Sequence, residues 1–155
     1  MARRGLTITD PTTGQTITFK QTSADTDGAL LELETTYVEG GGRPPAHRHP
    51  TQDERFSVLE GQLHVRVGRE RRTLGRGATI EIPAGTAHAM HGNARVHWEV
   101  RPALHTEQFL EAVCDPHAPA AGRLAAAYRH REEFRLAGPA GILLRILGPL
   151  VARRA

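Results

Sequence analysis

The sequence predicts an all-β barrel followed by a short C-terminal α-helical extension. Two observations predict the barrel. Short alternating runs of apolar and polar residues fill the first part of the chain, and 16 Gly and 10 Pro supply turns between them. Many short strands with regular turn signals are typical of sandwiches and barrels. The third observation is that helix-forming residues replace this pattern after His105. We therefore divide the 155-residue chain into a barrel at 1–103 and an extension at 104–155.

Strict alternation identifies the strands. Leu30–Val38 is the clearest, because Leu31, Leu33, Thr35 and Tyr37 fall on one face and polar residues on the other, as in a half-buried antiparallel strand. Gly40–Pro45 reads as a loop, and Glu60-Gly61-Gln62 as a hairpin turn. The full set of predicted strands is Thr16–Lys20, Leu30–Val38, Glu54–Glu60, Leu63–Val67, Ala78–Ile82, Ala87–His91 and Arg95–Arg101.

Three helices are predicted in the extension. Thr106 is placed as a cap for a helix over Glu107–Val113, and Ala120–Arg135 holds helix formers in bulk. Pro139–Ala152 forms a third helix, which Gly148-Pro149 should kink or end.

The apolar last helix has two interpretations. It packs on the barrel or on a second copy, or it forms a lid or a membrane-surface helix, since Arg145, Arg153 and Arg154 accompany its apolar residues. We favour packing, because Ile142–Leu147 is nearly continuously apolar and too short to span a bilayer.

Composition excludes several classes of protein. With 39% hydrophobic and 24% charged residues, the chain is expected to fold as a globular protein. Cys114 is the only cysteine, which rules out a disulfide scaffold, favours the cytoplasm and suits a small buried side chain. The net charge of +3 comes mostly from Arg at both ends and in a probable turn (Arg69, Arg71, Arg72 and Arg76). No nucleic-acid motif accompanies these residues, and we expect no nucleic-acid partner, export leader or transmembrane span.

Four residues are predicted to meet at a metal site. His47 and His49 are two apart at the start of a strand-like stretch, so both imidazoles point to one side. Glu54 opens the next strand, and His88 follows Pro83-Ala-Gly85 far along the chain. Three imidazoles and a carboxylate suit Fe(II), Mn, Ni, Co or Zn and leave coordination positions for water, substrate or O₂.

The other six histidines are assigned no site role. His64 alternates with Leu63 and Val65, and His97 with Val96 and Trp98, so both point away from the apolar face. The remaining four are expected to be structural or solvent-facing: His91, His105, His117 and His130.

At these residues the chain resembles the cupin superfamily, in particular its small single-domain bacterial members. Gly41-x5-His47-x-His49-x4-Glu54-x6-Gly61 matches the first cupin motif at every spacing, and Gly77-x5-Pro83-x-Gly85-x2-His88 matches the second. The pattern departs only after His88, where the family usually has Asn and this chain has Gly92 followed by Asn93. The resemblance covers Gly41–Gly92 directly.

The resemblance implies a jelly-roll barrel, the cupin double-stranded β-helix, with one divalent metal held inside one end by His47, His49, Glu54 and His88. It also implies a homodimer. If Glu54 points inward, Phe56 and Val58 do so too. The candidate substrate pocket is lined by Tyr37, Phe56, Met90 and Trp98, which suits a small apolar or aromatic molecule.

Three functions are left open. The first is a metal-dependent dioxygenase, as in similar small cupins that act on aromatic compounds, with Glu54 as a candidate catalytic base. The second is a redox-neutral isomerase, cyclase or lyase that uses the metal as a Lewis acid. The third is a module that binds a metal and a small ligand without turnover, because one fold hosts many functions.

Overall fold

Nine strands and three α-helices form residues 1–154, the part of the chain that the structure, a computed structural model, describes. The strands are β1 Thr7–Thr9, β2 Thr16–Gln21, β3 Leu31–Tyr37, β4 His47–Arg48, β5 Asp53–Val67, β6 Glu70–Gly75, β7 Thr79–Ile82, β8 His88–Arg101 and β9 Arg135–Leu136. The helices are α1 Thr106–Cys114, α2 Ala120–Arg129 and α3 Gly138–Arg154. The predicted all-β fold with helices after the barrel is confirmed, while Ala155 lies outside the described residues.

Strand β8 organises the barrel. It pairs antiparallel with β5 along its whole length, from Arg101 opposite Asp53 to His88 opposite Val67. Its other edge pairs first with β3 and then with β4. The far edge of β5 carries β7 and β6, so every long pairing is antiparallel, as a jelly roll requires.

Alternate residues of these strands form the core, because successive side chains of a strand point to opposite faces. In β3, Leu31, Leu33 and Thr35 have no exposed surface, whereas Glu32 and Glu34 are half-exposed. Strand β8 repeats the pattern with Val96 and Val100. The predicted inward face of the third strand is therefore confirmed.

The predicted hairpin turn at Glu60-Gly61-Gln62 is wrong. β5 runs unbroken through these residues, with a bulge between Val58 and Glu60. Gly61 has a φ of 76°, and a Cβ there would lie 2.0 Å from the carbonyl oxygen of Asn93. Glycine thus marks a bend where two backbones meet and not a chain reversal.

The two strands predicted over Ala87–His91 and Arg95–Arg101 are one strand, β8. Gly92 lies in its middle, and a Cβ there would come within 2.3 Å of the carbonyl oxygen of Gln62. Here the family pattern usually has Asn. The close approach of β5 accounts for glycine in this chain.

The basic segment predicted as a turn is mostly a strand. Arg71 and Arg72 lie in β6, which pairs with β5, and the chain reverses just before it at Gly68 and Arg69. All four arginines are exposed. β6 is an edge strand whose residues are mostly polar, so its sequence lacks the apolar alternation by which a strand is recognised. Strands β1 and β9 were not predicted, since two or three residues carry no detectable period, whereas β4 lies in the strand-like stretch predicted to begin at His47.

Helix boundaries differ from the predictions in three ways. Thr106 is the first residue of α1 and not its cap, and its hydroxyl accepts a hydrogen bond from Gln52 Nε2 at 2.8 Å. α2 ends at Arg129 instead of Arg135, and the chain then turns into β9. α3 continues through Pro149.

Among residues 1–154, α1, α2 and α3 are all too short or too polar to cross a bilayer as a helix.

Candidate metal centre

Three strands bring the predicted ligands together. β4 carries His47 and leads into His49, β5 carries Glu54, and β8 begins with His88. His47 is directly opposite His88 in the β4–β8 pair. One nitrogen from each of the three imidazoles lies within 4.8 Å of the others. Donors about 2.1 Å from a common ion lie up to about 4.2 Å apart, so closing on an ion needs only small shifts.

Hydrogen bonds select the same tautomer in all three imidazoles. Each Nδ1 lies beside a backbone carbonyl, which can only accept, so each Nδ1 carries the proton. The distances are 3.0 Å from His47 to Pro45, 2.5 Å from His49 to Glu133 and 3.0 Å from His88 to Thr86. The three Nε2 atoms are therefore left as lone pairs, the form in which imidazole binds a metal.

The Glu54 carboxylate faces two of these lone pairs. Its Oε1 lies 3.3 Å from His49 Nε2, and its Oε2 lies 3.0 Å from His88 Nε2. His49 Nε2 and Glu54 Oε2 are buried and have no hydrogen-bond partner among the residues that the structure describes. Acceptors facing one another in a buried site repel unless a cation or a proton lies between them. The donor set therefore fits a divalent metal.

Electrostatics keep Glu54 ionised. Burial alone raises the pKa of its carboxyl, but the positive charge that His49 and His88 carry when a proton takes the place of a metal outweighs burial and lowers the pKa to about 2. Burial lowers the pKa of His88, but the facing Glu54 carboxylate outweighs burial and raises it, so metal binding must displace a proton from this ring. Trp98 Nε1 also donates a hydrogen bond to Oε1 at 3.0 Å. Burial, followed by the charge of the neighbouring imidazoles, lowers the pKa of His47 to about 3, so that its ring is neutral. Both groups are in the protonation state that a metal ligand needs.

The C-terminal extension supplies part of this site. The carbonyl that holds His49 belongs to Glu133, 84 positions later. Phe134 stacks on His47 with ring centroids 4.7 Å apart, and Phe109 of α1 stacks on Phe134 at the same distance. β9 pairs with β4 directly beside these residues.

None of these three contributors was predicted, because Glu133 and Phe134 fall in a stretch that reads as plain helix. The one available signal is the scarcity of aromatic residues. The chain has seven, which makes each a candidate for a specific role.

An apolar cavity of about 510 Å³ opens over the four residues. Five of the seven aromatic residues line it: Tyr37, Phe56, Trp98, Phe109 and Phe134. The barrel forms its floor, and helices α1 and α2 form part of its wall through residues such as Leu110 and Ala127. A volume of this size suits a small organic molecule.

The four predicted pocket residues, Tyr37, Phe56, Met90 and Trp98, all line this cavity. Phe56 stacks on Trp98 with ring centroids 5.6 Å apart. Burial, followed by the charge of Glu54, raises the pKa of Tyr37 above its usual range, so its hydroxyl stays protonated. The hydroxyl donates a long hydrogen bond of 4.0 Å to Met90 Sδ, and the side chain of Gln15 also faces it. Such weak bonding allows the hydroxyl to contact a ligand.

The histidines assigned no role lie away from the centre. His64 is exposed and its ring is 5.2 Å from that of His91, on the outer face of β5 and β8. His97 Nε2 lies 2.8 Å from Glu32 Oε1 on the half-exposed face of the sheet. His105 and His117 are exposed, and His130 is half-buried beside Glu133. Their predicted placement is confirmed.

Comparison with known proteins identifies the family. The Cupin domain model matches residues 34–100, a range that holds all four residues of the centre. An uncharacterized protein of Streptomyces coelicolor is 33% identical over 75 residues, which span 44% of this chain and 71% of the relative. The chain belongs to the cupin superfamily.

Solved structures share the fold. An RmlC-like cupin from Shewanella frigidimarina superposes with a TM-score of 0.55 at 19% identity, covering 64% of this chain and 86% of that one. The nucleoside dehydratase Pac13 of Streptomyces gives 0.54 at 15% identity, covering 69% of this chain and 88% of that one. About a third of the chain lies outside each superposition.

Proposed function

We propose that His47, His49, His88 and Glu54 hold one divalent transition metal, Fe(II), Mn, Ni, Co or Zn, at the floor of the apolar cavity. The observation that carries this proposal is the convergence of three Nε2 lone pairs, each set by a hydrogen bond at Nδ1, on a buried carboxylate. Oxygen and nitrogen donors without thiolate favour these metals.

On this basis the protein is a metal-dependent dioxygenase that acts on a small apolar or aromatic molecule. When bound, Fe(II), Mn, Ni or Co would supply a redox-active centre with open coordination positions, whereas Zn would supply a Lewis acid only. The aromatic lining binds the substrate, orients it by stacking and excludes water. Trp98 holds Glu54 Oε1 in place, which leaves Oε2 as the atom positioned to accept a proton from the substrate.

A redox-neutral reaction is the second candidate, and Glu54 Oε2 is the observation that favours it. This oxygen is buried and lacks a hydrogen-bond partner, so it can act as a general base with the metal as Lewis acid. The structurally similar Pac13 is a dehydratase, a reaction of this redox-neutral class. Isomerase, cyclase and lyase chemistry share the same requirement.

The deciding experiment is a substrate screen with and without oxygen on protein loaded with each metal. Consumption of O₂ with an aromatic substrate, absent in His88→Ala, supports the dioxygenase. Turnover under strict anaerobiosis supports the redox-neutral enzyme instead. Tight ligand binding without product from any tested compound would leave a non-catalytic binding protein. The exposed His64→Ala variant is the matched control and should behave as the wild type.

Membership of the superfamily also supports a homodimer. We expect light scattering to give twice the chain mass of 16.9 kDa. A particle of one chain mass at all concentrations would contradict this expectation.

A further inference from the structure

The last helix presents an unusually apolar outer face. Five large aliphatic side chains of α3 are 43–63% exposed: Ile142, Leu143, Ile146, Leu147 and Leu150. They recur at helical spacing and so form one continuous surface along the helix. Contiguous exposed apolar patches of this kind mark interaction sites.

The opposite face of α3 is already occupied. Gly148 is buried against Tyr128 of α2, so closely that a Cβ would lie 2.0 Å from that ring. Gly141 packs against the carbonyl of Leu136, and Leu144 contacts the core. The helix is therefore apolar on both sides. A contiguous apolar face of this size is uncommon on the surface of a folded protein, so the outer face is expected to be covered in use.

The charges of α3 itself have one sign. After Glu133 the sequence has no Asp or Glu, whereas Arg135, Arg145, Arg153 and Arg154 all follow. Arg145 and Arg153 are exposed. An apolar stripe whose charged neighbours within the same helix are all arginine complements a lipid bilayer that has anionic headgroups at its surface and acyl chains beneath them.

We propose that α3 docks this protein on the surface of an anionic lipid bilayer. Its aliphatic side chains enter the boundary between headgroups and acyl chains, while Arg145 and Arg153 contact lipid phosphates. The helix lies in the plane of the surface, because its arginines and its length of 17 residues do not suit a span. This proposal rests on α3 alone and does not depend on the metal centre.

A second copy of the chain is a weaker occupant of this face. Five side chains are few beside the roughly 20–30 residues per partner of a standard interface. In an antiparallel α3 pair centred on Ile146, the two Arg145 side chains would lie near each other without an intervening carboxylate. Like charges so placed oppose pairing.

The test is co-flotation of the full-length protein with vesicles at low salt. We expect about tenfold more bound protein on vesicles of phosphatidylcholine with one-third phosphatidylglycerol than on phosphatidylcholine alone. Added salt should weaken binding, because it screens the arginines. The double variant Ile142→Ser/Ile146→Ser should lose most of the binding, as should Arg145→Gln/Arg153→Gln.

The matched control removes the same charge elsewhere. Arg71 and Arg76 are exposed on and just after β6, so Arg71→Gln/Arg76→Gln should bind vesicles as the wild type does. Equal loss in both arginine pairs would show attraction by net charge only and overturn the proposal. So would equal binding to both kinds of vesicle, or binding to neither. A stable dimer that Ile142→Ser/Ile146→Ser converts to monomer would assign the face to a second copy instead.

Discussion

At the scale of single residues, the centre depends on which imidazole nitrogen carries a proton. Backbone carbonyls of Pro45, Glu133 and Thr86 decide this at Nδ1 of the three rings. Backbone acceptors do not titrate, so the arrangement is preorganised by the fold itself. Histidines with the same side chain but no such carbonyl, such as His64, are not equivalent.

Removal of one ligand should therefore abolish metal binding without unfolding the barrel. We expect His49→Ala to lose most of the bound metal in elemental analysis, because the remaining donors cannot close around an ion. The β-rich circular dichroism spectrum should persist. Matched loss in His64→Ala, whose ring is exposed and bonded to Thr73 Oγ1, would contradict the assignment, and so would full occupancy in His49→Ala.

Cys114 should make folding sensitive to alkaline pH. Burial, followed by the nearby charge of Asp10, raises the pKa of its thiol to about 12. The unfolded chain releases this proton near its ordinary value of 9.0, so as pH rises above that value the unfolded state binds fewer protons and stability falls.

Between about pH 8 and pH 10.5, the free energy of unfolding should fall by about 1–2 kcal/mol more in the wild type than in Cys114→Ala. Urea titrations at the two pH values measure the difference. Parallel losses in the two proteins would contradict the buried thiol as the source. Tyr37, whose pKa is also raised, is common to both proteins and cancels.

At the scale of elements, the paired long strands β5 and β8 come into close backbone contact at two glycines. Gly61 approaches Asn93 and Gly92 approaches Gln62, so neighbouring strands touch backbone to backbone beside the bulge in β5. This contact lets two long strands curve together and close the barrel. The motif glycine is thus needed for strand contact and not for a tight turn.

Substitution by alanine should distinguish a glycine needed for a close backbone contact from a glycine needed only for its positive φ. Gly61 and Gly77 have similar φ values of 76° and 82°, but a Cβ at Gly77 meets no atom within 4 Å. Gly77→Ala should cost about 1–2 kcal/mol, the left-handed conformation alone. Gly61→Ala should cost clearly more, since the Asn93 carbonyl must move. Equal midpoints in urea denaturation would refute the contact.

At the scale of the whole molecule, the extension completes the barrel's site. Glu133 holds His49, Phe134 covers His47, and β9 extends the sheet beside β4. The Glu133 side chain is itself buried and accepts a hydrogen bond of 3.3 Å from the His105 backbone, which ties this segment to the start of α1.

A substitution at Glu133, which is not a metal ligand, should still weaken metal binding. We expect Glu133→Ala to lower metal affinity about tenfold in competition titrations with a chelator, because the carbonyl that orients His49 loses its support. Glu132→Ala is the control: its side chain is exposed and pairs with Arg135 outside the metal centre, so affinity should not change. Unchanged metal affinity in both variants would contradict a role of the extension in orienting His49.

Much of this molecule could be predicted from local sequence. The alternation of Leu31, Leu33 and Tyr37 identifies an inward face, and the spacing of His47, His49, Glu54 and His88 identifies residues that the fold does bring together. The inward face, and the shared side of His47 and His49, follow from the two-residue period of a strand, which operates between near neighbours in the chain. That Glu54 and His88 join them is what the resemblance to the cupin motifs implies. The motif spacing also identifies Gly61, Gly77 and Gly85; Gly77 and Gly85 lie in turns with positive φ, whereas the turn predicted at Gly61 is wrong.

Only the tertiary structure decided what closes the site. Glu133 and Phe134 lie 84 and 87 positions from the histidines they contact, in a segment that reads locally as helix. The unbroken course of β5 and β8 was equally invisible, since a glycine in a strand and a glycine in a turn look alike until the opposing backbone is known. Local pattern determines which face of an element is apolar, but contacts between distant segments depend on packing that no single segment encodes.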